Sequence, residues 1–190
     1  MSAPSEVQTD APTASEQATL LRVAREAIAC HFRGERQLLP EAKGALGESR
    51  GAFVTLRRRA DGELRGCIGN LVAARPLVET VSRMAVAAAT EDPRFAPLTA
   101  GELDQVAIEI SALGPLRPIR PEEVEVGRHG LLIGQGGRRG VLLPQVPVEH
   151  GWDRETFLVH TCWKAGLPED AWRDPEAELM GFTASVFSEE

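Results

Sequence analysis

Residues 51–69 read GAFVTLRRRADGELRGCIG. Phe53, Val54 and Leu56 are strand formers, and Leu64 to Ile68 supply a second short run. Between the two runs stands Asp61-Gly62, a strong turn pair, since glycine takes positive φ without a Cβ penalty. The stretch predicts a β-hairpin. Its second arm, LRGCIG, sets Cys67 among Gly66 and Gly69 and two positions after Arg65. Bare backbone beside a thiol suits a nucleophile, a ligand contact or only a tight bend. The hairpin alone does not choose among these.

Helical and strand patterns extend on both sides. TASE at 13–16 has capping-box spacing, and Leu20, Leu21, Ala24, Ala27 and Ile28 recur at helical intervals up to a stop at Gly34. Residues 35–50 read as a loop. ARPLVETVSRMAVAAAT predicts a helix with Pro76 in its first turn, and its alanines permit close approach to a sheet or a second helix. EDPRFAPLT breaks that helix, and TAGE at 99–102 repeats the capping-box spacing. QVAIEISAL alternates as a strand does. Prolines at 115, 118 and 121 then forbid long regular structure.

RHGLLIGQGGRRGVLLPQV reads as a second hairpin. Its glycine-rich loop lacks the Gly-Lys-Ser/Thr ending of a phosphate loop, so a nucleotide site is not assigned to it. DRETFLVHTCWKAG predicts a helix capped by Asp153 and stopped by Gly166, with Cys162 on its core face. ELMGFTASVF alternates and reads as one closing strand. Two hairpins and several helices in mixed order imply an α+β fold, with mixed or antiparallel sheets flanked by helices. Residues 1–14, rich in Ser, Thr, Pro and Ala, are expected to form a disordered tail ahead of a domain at 15–190.

Composition narrows the function classes. The chain has 190 residues, 43% hydrophobic, enough to bury a core. A net charge of −7 argues against recruitment to nucleic acid or an anionic membrane. Three widely spaced cysteines, Cys30, Cys67 and Cys162, form neither a disulfide framework nor a CxxC metal pair. The N-terminus lacks the charged and apolar regions of a secretory signal, and no apolar run approaches the ~18 residues of a membrane span. A reducing cytoplasm, with no metal and no cofactor, is the expectation.

The chemical candidates follow from residue type and position. Arg65 and Cys67 differ by two, so a regular strand presents them on one face, where the arginine would act on the thiol. Glu109 interrupts a run of strand formers and suits either a general acid or base on an open sheet face or a solvent-facing position. Asp92, ahead of Pro93, suits a turn cap. His129 stands at a strand entrance, and no histidine falls in a metal-binding signature.

Taken in order, GAFVTL, LRGCIG, DPRF, EIS, HGLLI, LLPQV and TCWKAGLP resemble the AMMECR domain family, and more narrowly the bacterial form known as protein A of the AmmeMemoRadiSam system. The resemblance spans about residues 15–187. It implies an α+β fold with a larger and a smaller lobe around a cleft. It also implies two partners, a Memo-type protein resembling extradiol dioxygenases and a radical S-adenosylmethionine (SAM) protein. The family motif falls on Arg65, Gly66, Cys67, Ile68 and Gly69, then Asp92, Pro93, Arg94 and Phe95, then Glu109 and Ser111, then Leu143 to Val146. The resemblance implies no settled reaction. Two functions are expected from these residues. One is a binding or accessory subunit that uses Gly66, Gly69, Asp92, Arg94 and Ser111 to shape its surface. The alternative is an enzyme with Cys67 as nucleophile, assisted by Arg65, Glu109 and His129.

Overall fold

The computed structural model describes residues 11–71 and 74–190. The expected tail lies for the most part outside the described residues. The chain forms two compact units, one made of the chain up to Leu113 together with Ser185–Glu190, the other of Gly114–Ala184. Each carries a four-stranded sheet with flanking helices, so the α+β reading holds.

In the first unit, helix α1 (Ala14–Arg33) starts as its sequence demands. The Thr13 hydroxyl accepts the Glu16 N–H, and the Glu16 carboxylate accepts the Thr13 N–H at 2.8 Å. Gly34, at φ 66°, ends the helix in the left-handed region. Strands β1 (Ala52–Arg58) and β2 (Leu64–Asn70) form the predicted hairpin, with Gly62 at φ 73° in its turn. Strand β3 (Val106–Leu113) pairs antiparallel with the other edge of β1. The last strand of the chain, Ala184–Ser188, lies beyond β3, which leaves β2 as an edge strand.

Helix α2 (Leu77–Thr90) packs on α1, β1 and β2. Val54, Leu56, Ile108 and Ile110 from the sheet meet Leu20, Ile28, Leu77 and Val81 from the helices in one apolar core. The α2 alanines allow this close seating. A Cβ placed on Gly66 would stand 2.2 Å from the Ala88 carbonyl oxygen, so only glycine fits there. The opposite face of this sheet carries Cys67.

In the second unit, β4 (Arg117–Pro118), β5 (Gly130–Gln135), β6 (Arg138–Leu142) and β7 (Glu178–Phe182) form a sheet in the order β4-β7-β5-β6, all antiparallel. The glycine-rich segment is the β5–β6 turn, with Gly136 and Gly137 both at positive φ as a two-residue hairpin requires. LLPQV does not simply extend the hairpin, because Gln145–Glu149 wind into a short helix, α3. Helix α4 (Arg154–Lys164) begins at Asp153, whose carboxylate accepts the Thr156 N–H at 2.8 Å, and buries Phe157, Leu158 and Cys162. His150, Trp152 and His160 stack in succession in this unit, at centroid distances of 4.8 and 3.8 Å, and Trp163 meets His160 edge-to-face at 4.7 Å.

One expectation is corrected. ELMGFTASVF is two strands, β7 in the second sheet and β8 (Ala184–Ser188) in the first. They part at Thr183, whose carbonyl accepts the Gly114 N–H at 2.8 Å. Apolar and strand-forming residues continue on both sides of Thr183, and no glycine or proline follows it before the end of the chain, so the sequence carries no sign of the change of sheet. Glu189 then anchors β8. Its carboxylate receives Arg25, Arg59 and the Ile108 N–H, the last at 3.0 Å.

Gly66→Ala is predicted to destabilise the protein by about 2–3 kcal/mol, because the backbone of α2 must retreat. Gly101→Ala, whose new methyl would meet nothing within 4 Å, is predicted to stay within about 0.5 kcal/mol of the parent. Chemical denaturation of the two variants measures both values.

Candidate functional site

The face of the first sheet turned away from α1 and α2 is built in rows. Pairing across β2, β1 and β3 places Gly69, Phe53 and Ser111 in one row and Cys67, Thr55 and Glu109 in the next. The Phe53 ring lies where a Gly69 side chain would be, with a ring carbon 2.1 Å from the position of a Cβ. Glycine is needed at 69 for that reason. Ser111 is buried and lies across from Phe53.

Cys67 is half-buried. Its sulfur accepts a hydrogen bond from the Thr55 hydroxyl at 3.3 Å. Thr55 was not among the sequence candidates, and counting back from Asp61-Gly62 as a two-residue turn would set Ile68 opposite it; the longer turn and the register slip bring Cys67 there instead. Glu109 stands on the other side of Thr55 and is 29% exposed along its side chain. The structure thus brings Cys67 and Glu109 into one row with a hydroxyl between them.

Arg65 does not share this face as expected. The β1–β2 register slips between Leu56 and Arg57, pairing Leu56 with Gly66 and Arg57 with Leu64. Arg65 is left unpaired at a bulge, which re-aims its side chain. Its guanidinium donates to Glu102 at 3.1 and 3.3 Å and to the Ala96 carbonyl at 3.0 Å. Glu102 also caps the turn at Thr99, and the donors around it hold its carboxyl below the usual range, the Thr99 N–H first among them.

The DPRF segment closes the edge of β2. Asp92 is 3% exposed along its side chain and accepts four hydrogen bonds. The Cys67 N–H donates to Oδ2 at 2.8 Å, the Arg94 guanidinium donates at 2.9 and 2.7 Å, and the Arg94 N–H at 3.1 Å. Arg94 also reaches the Cys67 carbonyl at 3.5 Å and lies over the Phe95 ring, 5.5 Å from its centroid. The pair of side chains takes the place of a neighbouring strand at Cys67. Asp92 is more than the turn cap its sequence suggests. The Arg94 guanidinium, aided by the Cys67 N–H, drives its carboxyl far below the usual range.

His129 belongs to the second unit, where its Nδ1 accepts the Glu125 N–H at 3.0 Å. Burial, reinforced by Arg128, pushes its imidazole below the ordinary histidine value. Cys162 is fully buried, and burial raises its thiol. Cys30 is buried and bonded to Glu26 at 3.3 Å. Among the described residues no group of three His, Cys, Asp or Glu side chains is placed to hold a metal ion, and no helix is long and apolar enough to cross a membrane.

Two predictions follow from these partners. Asp92→Ala leaves the Cys67 N–H and Arg94 without their acceptor and is predicted to cost about 2–3 kcal/mol at neutral pH. The folded carboxyl titrates below the unfolded one, so the stabilisation is present above about pH 4 and fades as pH falls further. Acid titration of both proteins by circular dichroism should show the difference shrinking. His129 has a consequence of the same sign at higher pH. Its folded pKa lies below the unfolded value of about 6.5, so the unfolded chain binds more protons just below that pH. Stability is predicted to fall on acidification through this window, and His129→Asn to flatten the slope.

The AMMECR1 family profile matches residues 21–187. A protein of Thermococcus gammatolerans is 48% identical over 182 residues, covering 90% of this chain and 89% of its own. Protein MK0488 of Methanopyrus kandleri is 44% identical over 187 residues, covering 94% and 90%. The crystal structure of the uncharacterized protein PH0010 from Pyrococcus horikoshii superposes with a TM-score of 0.75 at 44% identity, covering 90% of each chain. With LRGCIG, DPRF and the strand that carries Glu109 all inside the matched region, the chain belongs to the AMMECR1 family.

Proposed function

We propose that this protein is a cytoplasmic binding or accessory subunit of the AmmeMemoRadiSam type, working with a Memo-type protein and a radical SAM protein. Its working surface is the face of the first sheet that holds Cys67, Thr55, Phe53 and Glu109. The observation that carries this reading is the commitment of the motif's charges to the scaffold. Asp92 and Arg94 hold the backbone of Cys67, and Glu102 holds Arg65. Groups engaged in this way fix the shape of a surface, and a preorganised surface loses little entropy on binding. Gly66 and Gly69 serve the same end by letting α2 and Phe53 pack against β2.

A second reading makes Cys67 a nucleophile acting on a small substrate. It is favoured by the row of Cys67, Thr55 and Glu109, which sets a hydroxyl at the sulfur and a carboxylate one strand further on. Thr55 would orient the thiol, and Glu109 would accept or return a proton through the substrate or a water.

Co-expression with the two partners from the same genome separates the readings. The binding role predicts co-purification that survives Cys67→Ser and weakens at least about tenfold with Asp92→Ala, which frees the β2 edge. Absence of any complex with either partner contradicts it. The nucleophile role predicts that Cys67→Ser abolishes function while the complex persists, and that iodoacetamide labels Cys67 in preference to the buried Cys30 and Cys162.

A further inference from the structure

The Cys67 face of the first sheet ends, near the hairpin turn, in a cavity of about 280 Å³ lined by Arg57, Gly62, Ala107, Glu109 and the end of β8. Most charges around it are engaged. Arg58 pairs with Asp61 and Glu63, and Arg59 pairs with Glu189, which Arg25 and the Ile108 N–H also hold. Arg57 and Glu109 differ. Among the described residues, the polar contacts of the Arg57 guanidinium are 3.8 Å to Glu109 and 3.5 Å to the Gly62 carbonyl. The contact of the Glu109 carboxylate is that same Arg57. Both are open to solvent, at 46% and 29% side-chain exposure, and an ion pair this long and exposed holds its partners weakly.

We propose that this pair is the binding site for the main-chain end of a free α-amino acid. An opposed but unsealed cation and anion facing one cavity select a ligand that carries both charges. A simple anion at Arg57 meets the Glu109 carboxylate, and a simple amine at Glu109 meets the guanidinium. An α-amino acid has its carboxylate and ammonium on one carbon. Entering between the two side chains, it gives the carboxylate to the planar fork of Arg57 and the ammonium to Glu109. The cavity has room for a ligand of this size. Thr55 sits two residues before Arg57 on the same face, so the ligand's side chain has the Thr55–Cys67 row as its next neighbour. The inference rests on the reading that this face is the working surface, and it adds the class of ligand.

The test is a calorimetric titration of the full chain with L-α-amino acids one at a time. Each ligand found is then compared with its N-acetyl derivative, which lacks the ammonium, and with the amine that lacks the carboxylate. The expected result is binding of at least one amino acid, with affinity falling at least about tenfold for each truncated analogue and for each of Arg57→Met and Glu109→Gln. Unchanged thermal midpoints show that the variants remain folded. The proposal is overturned if no amino acid binds, if either analogue binds as well as the amino acid, or if either variant binds as the parent does. The titration needs no partner protein, so a failure here is distinct from a failure of co-purification.

Discussion

The structure around the family motif depends on one carboxylate. β2 is the edge of its sheet, and an edge strand exposes backbone groups that water or another chain will claim. At Cys67 those groups are taken by Asp92 and Arg94, from a turn 25 residues further along the chain. The carboxylate is buried, and burial of a charge is tolerated because a guanidinium and two backbone N–H groups surround it. Proline at 93 and the Phe95 ring beneath Arg94 hold the turn to one geometry. The DPRF segment and the LRGCIG segment are therefore two halves of one device.

The two faces of β2 have different requirements. Towards the helices, Gly66 lets α2 sit directly on the strand, with the Ala88 carbonyl against it. On the other face, Gly69 gives its space to the Phe53 ring, and Cys67 is left half-buried beside Thr55. A strand squeezed from one side and capped along its edge presents the remaining face with little freedom. That rigidity serves recognition and positions a nucleophile equally well, and for this reason the two functional readings share one set of residues.

Much of the fold is legible from local chemistry. The hairpin at 51–69, the capping boxes at Thr13 and Thr99, the Asp153 cap and the Gly136-Gly137 turn all rest on interactions within a few residues. What escapes is decided at longer range. The change of sheet at Thr183 depends on which sheet each half of the segment joins, and both halves are made of similar strand-forming residues. Arg65 is drawn to Glu102 by a bulge beside Gly66; a glycine within a strand can signal a bulge, but not where it sends the neighbouring side chain. Asp92 reads as a turn residue because the partner that ties it to β2 is the Cys67 backbone amide, invisible in any residue pattern. Thr55 is hidden among strand formers, and only the hairpin register brings its hydroxyl to the thiol.

The claim that Asp92 replaces a neighbouring strand at Cys67 is tested most directly by amide hydrogen exchange at that residue. In the parent protein the Cys67 amide should exchange slowly, as a strand-paired amide does, although no strand lies beside it on that edge. In Asp92→Ala its protection should collapse while amides of the β1–β3 pairing keep theirs. Fast exchange of the Cys67 amide in the parent, or equal protection in both proteins, would contradict the account.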